Sequence, residues 1–293
     1  MLLKTLLPAL ETRAVVGPID RAVDSIAYDS RRVQKNSLFV ALRGEKSDGH
    51  QFINQAIERG ASVIVAEREP QQGPATWVQV ADTQPALADL SAAFFDRPSR
   101  RLKLAAVTGT NGKTTTTFLI KHICENAGLR CGLIGTVRYE IGERVLPAVR
   151  TTPFALELQE LLAQIVNAGG KAAAMEVSSH AIAQERIRGV EWDVAVFTNL
   201  TQDHLDFHGT MENYFEAKVK LFTDLARQTH KKKSVAVVNL DDRYGEKLIG
   251  RLPKDFPVVT YGLGVRADFR ASNYRPEFAG SSYQLDARGK SYL

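Results

Sequence analysis

The 293-residue sequence predicts an α/β protein, with a small N-terminal α/β domain followed by a P-loop, mostly parallel-sheet domain with helices on both faces. Three observations predict it. Short apolar runs alternate with helix-period segments, the pattern of a parallel sheet covered on both sides. A glycine-rich stretch, "VTGTNGKTTTTFL" from Val107 to Leu119, lies between a strand-like and a helix-like run. A stretch carrying Pro98 and several arginines, "FFDRPSRRLKL", interrupts the pattern about a third of the way along.

In chain order, "MLLKTLLPALETR" opens with an apolar run broken by Pro8 and followed by Glu11. It is too short and too polar for a signal peptide or a membrane span. "NSLFVAL" and "ASVIVAE" read as buried strands, and "HQFINQAIERG" as a helix ended by Gly60. An apolar helix is expected over about 86–95, then a linker near Arg97 to Arg101. The expected domains are therefore 1–98 and 99–293. In the second, four runs share one design. "LKLAAV" leads into Thr108-Gly109, "KAAAMEV" into Ser178-Ser179-His180, "DVAVFTNL" into Thr201 to His204, and "SVAVVNL" into Asp241-Asp242. "FALELQELLAQIVNAGG" and "MENYFEAKVKLFTDLAR" are helical segments between them. Ligands of open α/β sheets sit at the carboxyl ends of the strands, so Lys113, Glu176, His204 and Asn239 are expected along one rim. The final "FRASNYRPEFAGSSYQLDARGKSYL" reads as a strand pair.

Composition narrows the function. Hydrophobic residues make up 44% and charged residues 24%, as in ordinary globular proteins. A net charge of +5, from 38 basic and 33 acidic residues, is too small and scattered to serve nucleic acid. "HKKKS" at 230–234 reads as a solvated loop before a strand. Cys124 and Cys131 match no metal pattern, and so few cysteines suit a reducing cytoplasm.

The chemistry concentrates in the glycine-rich stretch. Gly109 and Gly112 allow a tight turn and close approach of backbone to ligand. The helix that follows offers unpaired N–H groups and its positive dipole end to an anion. Lys113 adds a point charge, and the Thr114 hydroxyl suits a magnesium ion. The longer P-loop pattern needs glycine where this chain has Val107, so what stands here is G-x-x-G-K-T. The plainer reading is a glycine turn capping a helix beside a surface lysine. Glu176, at the end of a run of small apolar residues, is costly as an ionised group unless paired or metal-bound. With Thr114 it suits Mg²⁺, although strand-end glutamates facing solvent are common. His204 and His208 stand four apart, but Gly209 follows and no third soft ligand is near, so a zinc site is not expected. Spacing alone makes Lys218 an ordinary helix lysine.

Several stretches together resemble the Mur ligases. They are "DSRRVQKNSLFVALRGEKSDGHQFI", "TGTNGKTTT", "RTTPFALELQ", "MEVSSHAIAQERI", "NLTQDHLDFHGTMENYFEAKVKLF" and "VVNLDDRYG". T-T-P, M-E-V-S-S-H and D-H-L-D-F-H-G narrow the resemblance to the MurE type, whereas D-S-R and D-G-H are shared with the MurF type. Folylpolyglutamate synthases share the ATPase core but not the N-terminal domain. The resemblance implies an ATP-dependent ligase of peptidoglycan synthesis, working in the cytoplasm as a monomer. ATP would phosphorylate the γ-carboxylate of UDP-N-acetylmuramoyl-L-alanyl-D-glutamate, and the amine of meso-diaminopimelate or L-lysine would attack the acyl phosphate. Positioning and charge neutralisation would then do most of the work.

The resemblance also implies roles for single residues. Gly109, Thr110, Asn111, Gly112, Lys113, Thr114 and Thr115 would hold the ATP phosphates, and Asn239 would contact adenine. Thr114 and Glu176 would serve a first Mg²⁺, and His204 a second together with Lys218. Lys218 matches the family's carbamylated lysine, in which CO₂ turns a cation into a carboxylate. Ser30, Glu45, Lys46 and Ser47 match uridine-nucleotide contacts. Thr151, Thr152, Ser178, Gln184 and Arg186 match contacts to the muramoyl dipeptide, where an arginine suits a carboxylate. The family often has Asn before T-T-P, and Arg150 stands there instead. The D-N-P-[RA] motif of the family's third domain does not occur in these residues. The expectation is a chain without that domain that binds both substrates but does not complete the ligation.

Overall fold

The computed structural model describes residues 1–44, 47–278, 280–287 and 289–292. They form two compact units. The first contains Met1–Pro98, Pro153–Ala163 and Gln184–Val190, and the second contains Ser99–Thr152, Gln164–Ala183 and Glu191–Leu293. The main break thus falls between Pro98 and Ser99. Two later segments, which the sequence reading left in the second domain, pack with the first.

The first unit begins with a short helix, α1 (Leu3–Leu6), followed by β1 (Thr12–Val16), β2 (Ser25–Ala27) and β3 (Ser37–Val40). It continues through α2 (Ile53–Glu58), β4 (Ala61–Ala66), β5 (Thr76–Val80) and α3 (Thr83–Phe94). The strand order is β1-β5-β4-β3-β2, parallel except for β1 against β5. The two-residue period of a strand explains the double core. Leu38, Val40, Val63 and Val65 face Leu3, Leu6, Leu87 and Leu90, while Phe39, Ile64 and Trp77 face Ile53 and Ala56. Helix α3 starts earlier than expected because the Asp82 carboxylate accepts the Gln84 N–H at 2.8 Å, an N-cap that the apolar pattern does not reveal. Left-handed Asp96 and Arg97 then end it.

The second unit runs β6 (Lys103–Thr108), α4 (Lys113–Asn126), β7 (Cys131–Ile134), β8 (Arg138–Ile141) and β9 (Arg144–Pro147). It continues through α5 (Ala155–Asn167), whose first part packs with the other unit, then β10 (Ala172–Glu176), α6 (Ser179–Ala183) and β11 (Val194–Phe197). After these come α7 (Leu205–His208), α8 (Met211–Arg227), β12 (Val235–Asn239), α9 (Arg243–Ile249) and β13 (Val258–Gly262). The last strands are β14 (Phe269–Glu277), β15 (Gly280–Ala287) and β16 (Lys290–Tyr292). They make one sheet in the order β16-β15-β14-β13-β12-β11-β6-β10-β7-β8-β9. The stretch from β14 to β7 is parallel, and both ends turn antiparallel.

The four apolar runs are β6, β10, β11 and β12. Strand β6 lies between β10 and β11, so the loop after it opens where the chain direction across the sheet divides. Helix α4 packs on β6, β7 and β10, while α8 packs on β11. Two local expectations need correction. The expected strand pair at the end has a third member, β16. Lys231 in "HKKKS" is not a solvated loop lysine: its ammonium donates to Leu102 O at 2.7 Å and Asp193 Oδ2 at 2.6 Å. Among the described residues no helix is long and apolar enough to cross a membrane.

Candidate active site

The loop after β6 is built around glycine. Gly109 has φ +149°, and a Cβ there would sit 1.9 Å from Thr198 Oγ1. Gly112 has φ +85° and begins α4 without a side-chain cap. The loop is tied to the end of β11. Thr110 N–H donates to Asn199 O at 2.9 Å, Asn111 N–H to Asn199 Oδ1 at 2.9 Å, and the Thr198 hydroxyl to Asn111 O at 2.6 Å. Such a loop leaves the first-turn amides of α4 directed at an anion. Thr115 lies exposed in that turn.

Lys113 folds back over this loop. Its ammonium donates to Gly109 O at 3.0 Å and Thr110 O at 2.8 Å. Burial pulls its pKa down, while the nearby charges of Glu176 and Asp203 push it up. Glu176 is 1% exposed at the end of β10. Its Oε1 accepts the Thr114 hydroxyl at 3.0 Å and Thr136 N–H at 2.9 Å, and its Oε2 accepts the Thr136 hydroxyl at 3.0 Å. A Cβ at Gly135 would come 2.4 Å from Oε1, so the backbone after β7 closes directly over the carboxylate. Sequence reasoning paired Thr114 with Glu176 but missed Gly135 and Thr136, because β7 was not read as a strand.

Lys218 departs furthest from its spacing-based reading. It is 1% exposed, and its ammonium donates to Gly109 O at 3.2 Å, the carbonyl that also receives Lys113. It stands 4.5 Å from the centre of the Tyr214 ring. Burial, helped by the like charge of Lys113, lowers its pKa to about 7. His204 is left-handed (φ 52°) and precedes α7 rather than sharing a helix face with His208. Its ring packs edge-on against His180 at 4.8 Å and Tyr214 at 6.0 Å. His208 Nε2 lies 2.9 Å from Ser179 Oγ, and burial with nearby His180 and Lys218 lowers its pKa. Burial pushes the Tyr214 phenol up.

The Asn239 amide donates to Thr198 O at 2.8 Å and accepts Asp241 N–H at 2.9 Å. It therefore clamps the ends of β11 and β12 together. Also in the second unit, the Thr136 and Thr151 hydroxyl oxygens lie 3.0 Å apart; with the Thr136 proton directed at Glu176, Thr151 is the donor. The Thr152 hydroxyl donates to Glu176 O at 2.9 Å and accepts Ser178 N–H at 3.1 Å. Thr151, Thr152 and Ser178 thus surround the end of β10. In the first unit, the Ser30 hydroxyl donates to Gln55 Oε1 at 2.7 Å, and Ser47 O accepts Gly44 N–H at 3.0 Å. Arg186 hydrogen-bonds Gln184 and stacks 4.4 Å from the Phe154 ring centre. Glu45 and Lys46 lie outside the described residues.

The donor set suits a hard divalent ion beside phosphate. Glu176 is a buried carboxylate whose hydrogen-bond donors here are neutral hydroxyl and amide groups, with the Thr114 oxygen at hydrogen-bond distance and Lys113 near enough to feel its charge. Among the described residues no three or more His, Cys, Asp or Glu side chains gather as a metal cluster. An ion here would therefore draw on hydroxyl, carboxylate and ligand oxygens.

Comparison with known proteins gives the family. Residues 107–292 match the Mur ligase middle domain, and residues 22–105 match the Mur ligase family catalytic domain. The UDP-N-acetylmuramoyl-L-alanyl-D-glutamate–2,6-diaminopimelate ligase 1 of Clostridium acetobutylicum is 41% identical over 290 residues, 99% of this chain and 58% of that protein. The ligase of the same name (without the numeral) from Geobacillus kaustophilus is 46% identical over 265 residues, 89% of this chain and 53% of that protein. A solved structure of a ligase of this name superposes with a TM-score of 0.84 at 29% identity, covering 100% of this chain and 58% of the other. The chain thus spans a little over half the length of the relatives it matches. The phosphate loop between β6 and α4, and the family match across both units, lead to one conclusion: this chain belongs to the Mur ligase family.

Proposed function

We propose that the chain provides the ATP- and UDP-sugar-peptide-handling parts of a MurE-type ligase acting in the cytoplasm. In that reaction the γ-carboxylate of UDP-N-acetylmuramoyl-L-alanyl-D-glutamate takes the γ-phosphoryl group of ATP and releases ADP. An amine then attacks the acyl phosphate, loses a proton, and expels phosphate to leave an amide. The name of the relatives favours 2,6-diaminopimelate over L-lysine as the source of that amine. The observation that carries the reading is the convergence of Lys113, Thr114, Glu176 and Lys218 on one loop at the sheet's carboxyl edge.

Each residue has a physical part in this reading. The loop amides and Lys113 orient and neutralise the phosphates. Glu176 and Thr114 would hold one Mg²⁺, and His204 with a carbamylated Lys218 a second; the ions would supply charge neutralisation for phosphates and carboxylate. An amine with a pKa of about 7 is uncharged in about half the molecules at neutral pH. Only that form adds CO₂, releasing a proton and leaving a carbamate, so burial of Lys218 prepares the modification. Ser30, Glu45, Lys46 and Ser47 are assigned to the uridine nucleotide. Thr151, Thr152, Ser178, Gln184 and Arg186 are assigned to the muramoyl dipeptide, and Asn239 to adenine.

Calorimetric titration of the 293-residue chain with Mg²⁺–ADP, and separately with the UDP-sugar dipeptide, tests the reading. Saturable one-to-one binding of both is expected, and Lys113→Ala should weaken the nucleotide at least tenfold while leaving the dipeptide unchanged. Absence of binding to either ligand would sink the proposal.

A further inference from the structure

We infer that Tyr214 is a positioning residue for the nucleotide site: its hydroxyl fixes the backbone of the phosphate loop through Thr110. The inference rests on the ligase reading, and Tyr214 itself has no role among the residues assigned above.

Hydrogen-bond counting gives the direction. A threonine hydroxyl has one proton and two acceptor positions. Thr110 Oγ1 donates to Thr201 O at 3.2 Å and accepts Thr201 N–H at 3.0 Å. The Tyr214 oxygen lies 3.3 Å from the same atom. With the Thr110 proton already directed at Thr201, the contact is completed by Tyr214 donating into the second acceptor position. The phenol is a fixed donor because its side chain is 1% exposed and tightly surrounded. His208 packs 5.0 Å from its ring centre, and the Lys218 ammonium lies 4.5 Å from that centre.

The arrangement joins three segments at one oxygen. They are the phosphate loop, the stretch from Thr201 towards Asp203 and His204, and α8. The backbone so held is the one that matters: Gly109 O receives Lys113 and Lys218, and Thr110 O receives Lys113. A shift of Thr110 would move the loop amides and the resting place of Lys113 together. Misplacement of such groups weakens ligand binding even when the altered residue never touches the ligand.

The test is a double-mutant cycle on Mg²⁺–ADP affinity in the 293-residue chain, using Tyr214→Phe, Thr110→Val and both together. Phe keeps the ring beside Lys218 and removes only the hydroxyl. One neutral hydrogen bond supports a loss of roughly 3- to 10-fold for Tyr214→Phe. The double variant should bind no more weakly than Thr110→Val alone, the non-additivity expected of two ends of one contact. Affinity for the UDP-sugar dipeptide, measured on the same samples, should not move; a general loosening of the fold would lower both. Wild-type ADP affinity in Tyr214→Phe, or strictly additive losses, would overturn the assignment. Should Tyr214→Phe fail to fold, Thr110→Ser, which keeps the hydroxyl, must bind ADP more tightly than Thr110→Val, and equal affinities of the two would overturn it. Failure of the unaltered chain to bind ADP would instead bring down the ligase reading, and this inference with it.

Discussion

Replacing Glu176 by Gln and by Ala separates charge from scaffolding at the end of β10. The carboxylate accepts three hydrogen bonds, from the Thr114 hydroxyl, the Thr136 N–H and the Thr136 hydroxyl. Gln can keep its carbonyl oxygen at the Oε1 position, where Thr114 and Thr136 N–H donate. Its NH₂ then faces the Thr136 hydroxyl, which can rotate to accept. Glu176→Gln should therefore leave the unliganded protein within about 1 kcal/mol of wild type, the scale of one exchanged hydrogen bond. Ala orphans the Thr136 N–H and the Thr114 hydroxyl, leaves the Thr136 hydroxyl only Thr151, and empties a buried volume. At about 1–3 kcal/mol for each unsatisfied group, partly relieved by water, roughly 3 kcal/mol is expected. That corresponds to a fall in Tm of about 6–12 °C for a domain of this size. Nucleotide binding should show the opposite pattern. If Glu176 holds Mg²⁺, the gain in ADP affinity from adding Mg²⁺ should largely vanish in Glu176→Gln despite its intact fold. Scanning calorimetry and ADP titrations with and without Mg²⁺ read the two quantities. A Gln variant with full Mg²⁺ dependence would refute the metal assignment, and one as unstable as Ala would refute the hydrogen-bond account.

Two further predictions come from displaced pKa values. Lys218 falls from its ordinary value to about 7 on folding, so between pH 7 and the ordinary lysine range the unfolded chain binds the extra proton, and stability should rise with pH. In CO₂-depleted buffer, urea melts at pH 7.5 and 9.5 should show this rise in wild type and a smaller one in Lys218→Met; equal slopes would count against the buried neutral amine. Burial, with the adjoining Cys124 thiol, pushes Cys131 up to about 12. Iodoacetamide at pH 8 should reach Cys131 only after denaturation, and intact-mass measurement of two rapid additions to the native chain would contradict this.

The site was legible where backbone logic and side-chain chemistry coincide in one short run. Strands β6, β10, β11 and β12 are continuous stretches of Ala, Val and neighbours because both faces of a parallel sheet are covered. Their ends announced Lys113, Thr114, Glu176 and Asn239. Strand β7 is only Cys131–Ile134 and follows α4 after a brief turn, so its short apolar run was not read as a strand and Thr136 went unnoticed. The four-residue spacing of His204 and His208 is silent about φ. The left-handed turn at His204 sets it before α7, while His208 Nε2 lies beside Ser179 Oγ. The spacing-based reading of Lys218 as an ordinary helix lysine is the instructive miss, since the signal was present. The buried positions of α8 are Tyr214, Phe215, Lys218, Val219, Leu221, Phe222 and Leu225. These fall on the stripe that a 3.6-residue period directs inward. A lysine on that stripe, four residues after a tyrosine and four before a phenylalanine, cannot reach water as a surface lysine does. The period alone marks it as buried, and a buried lysine must find a carbonyl, lose its proton or be modified. Here it meets Gly109 O and has a pKa of about 7. The same stripe contains Tyr214. Reading charged and hydroxyl-bearing residues against the apolar period therefore finds both α8 residues that reach the phosphate loop, without help from any motif.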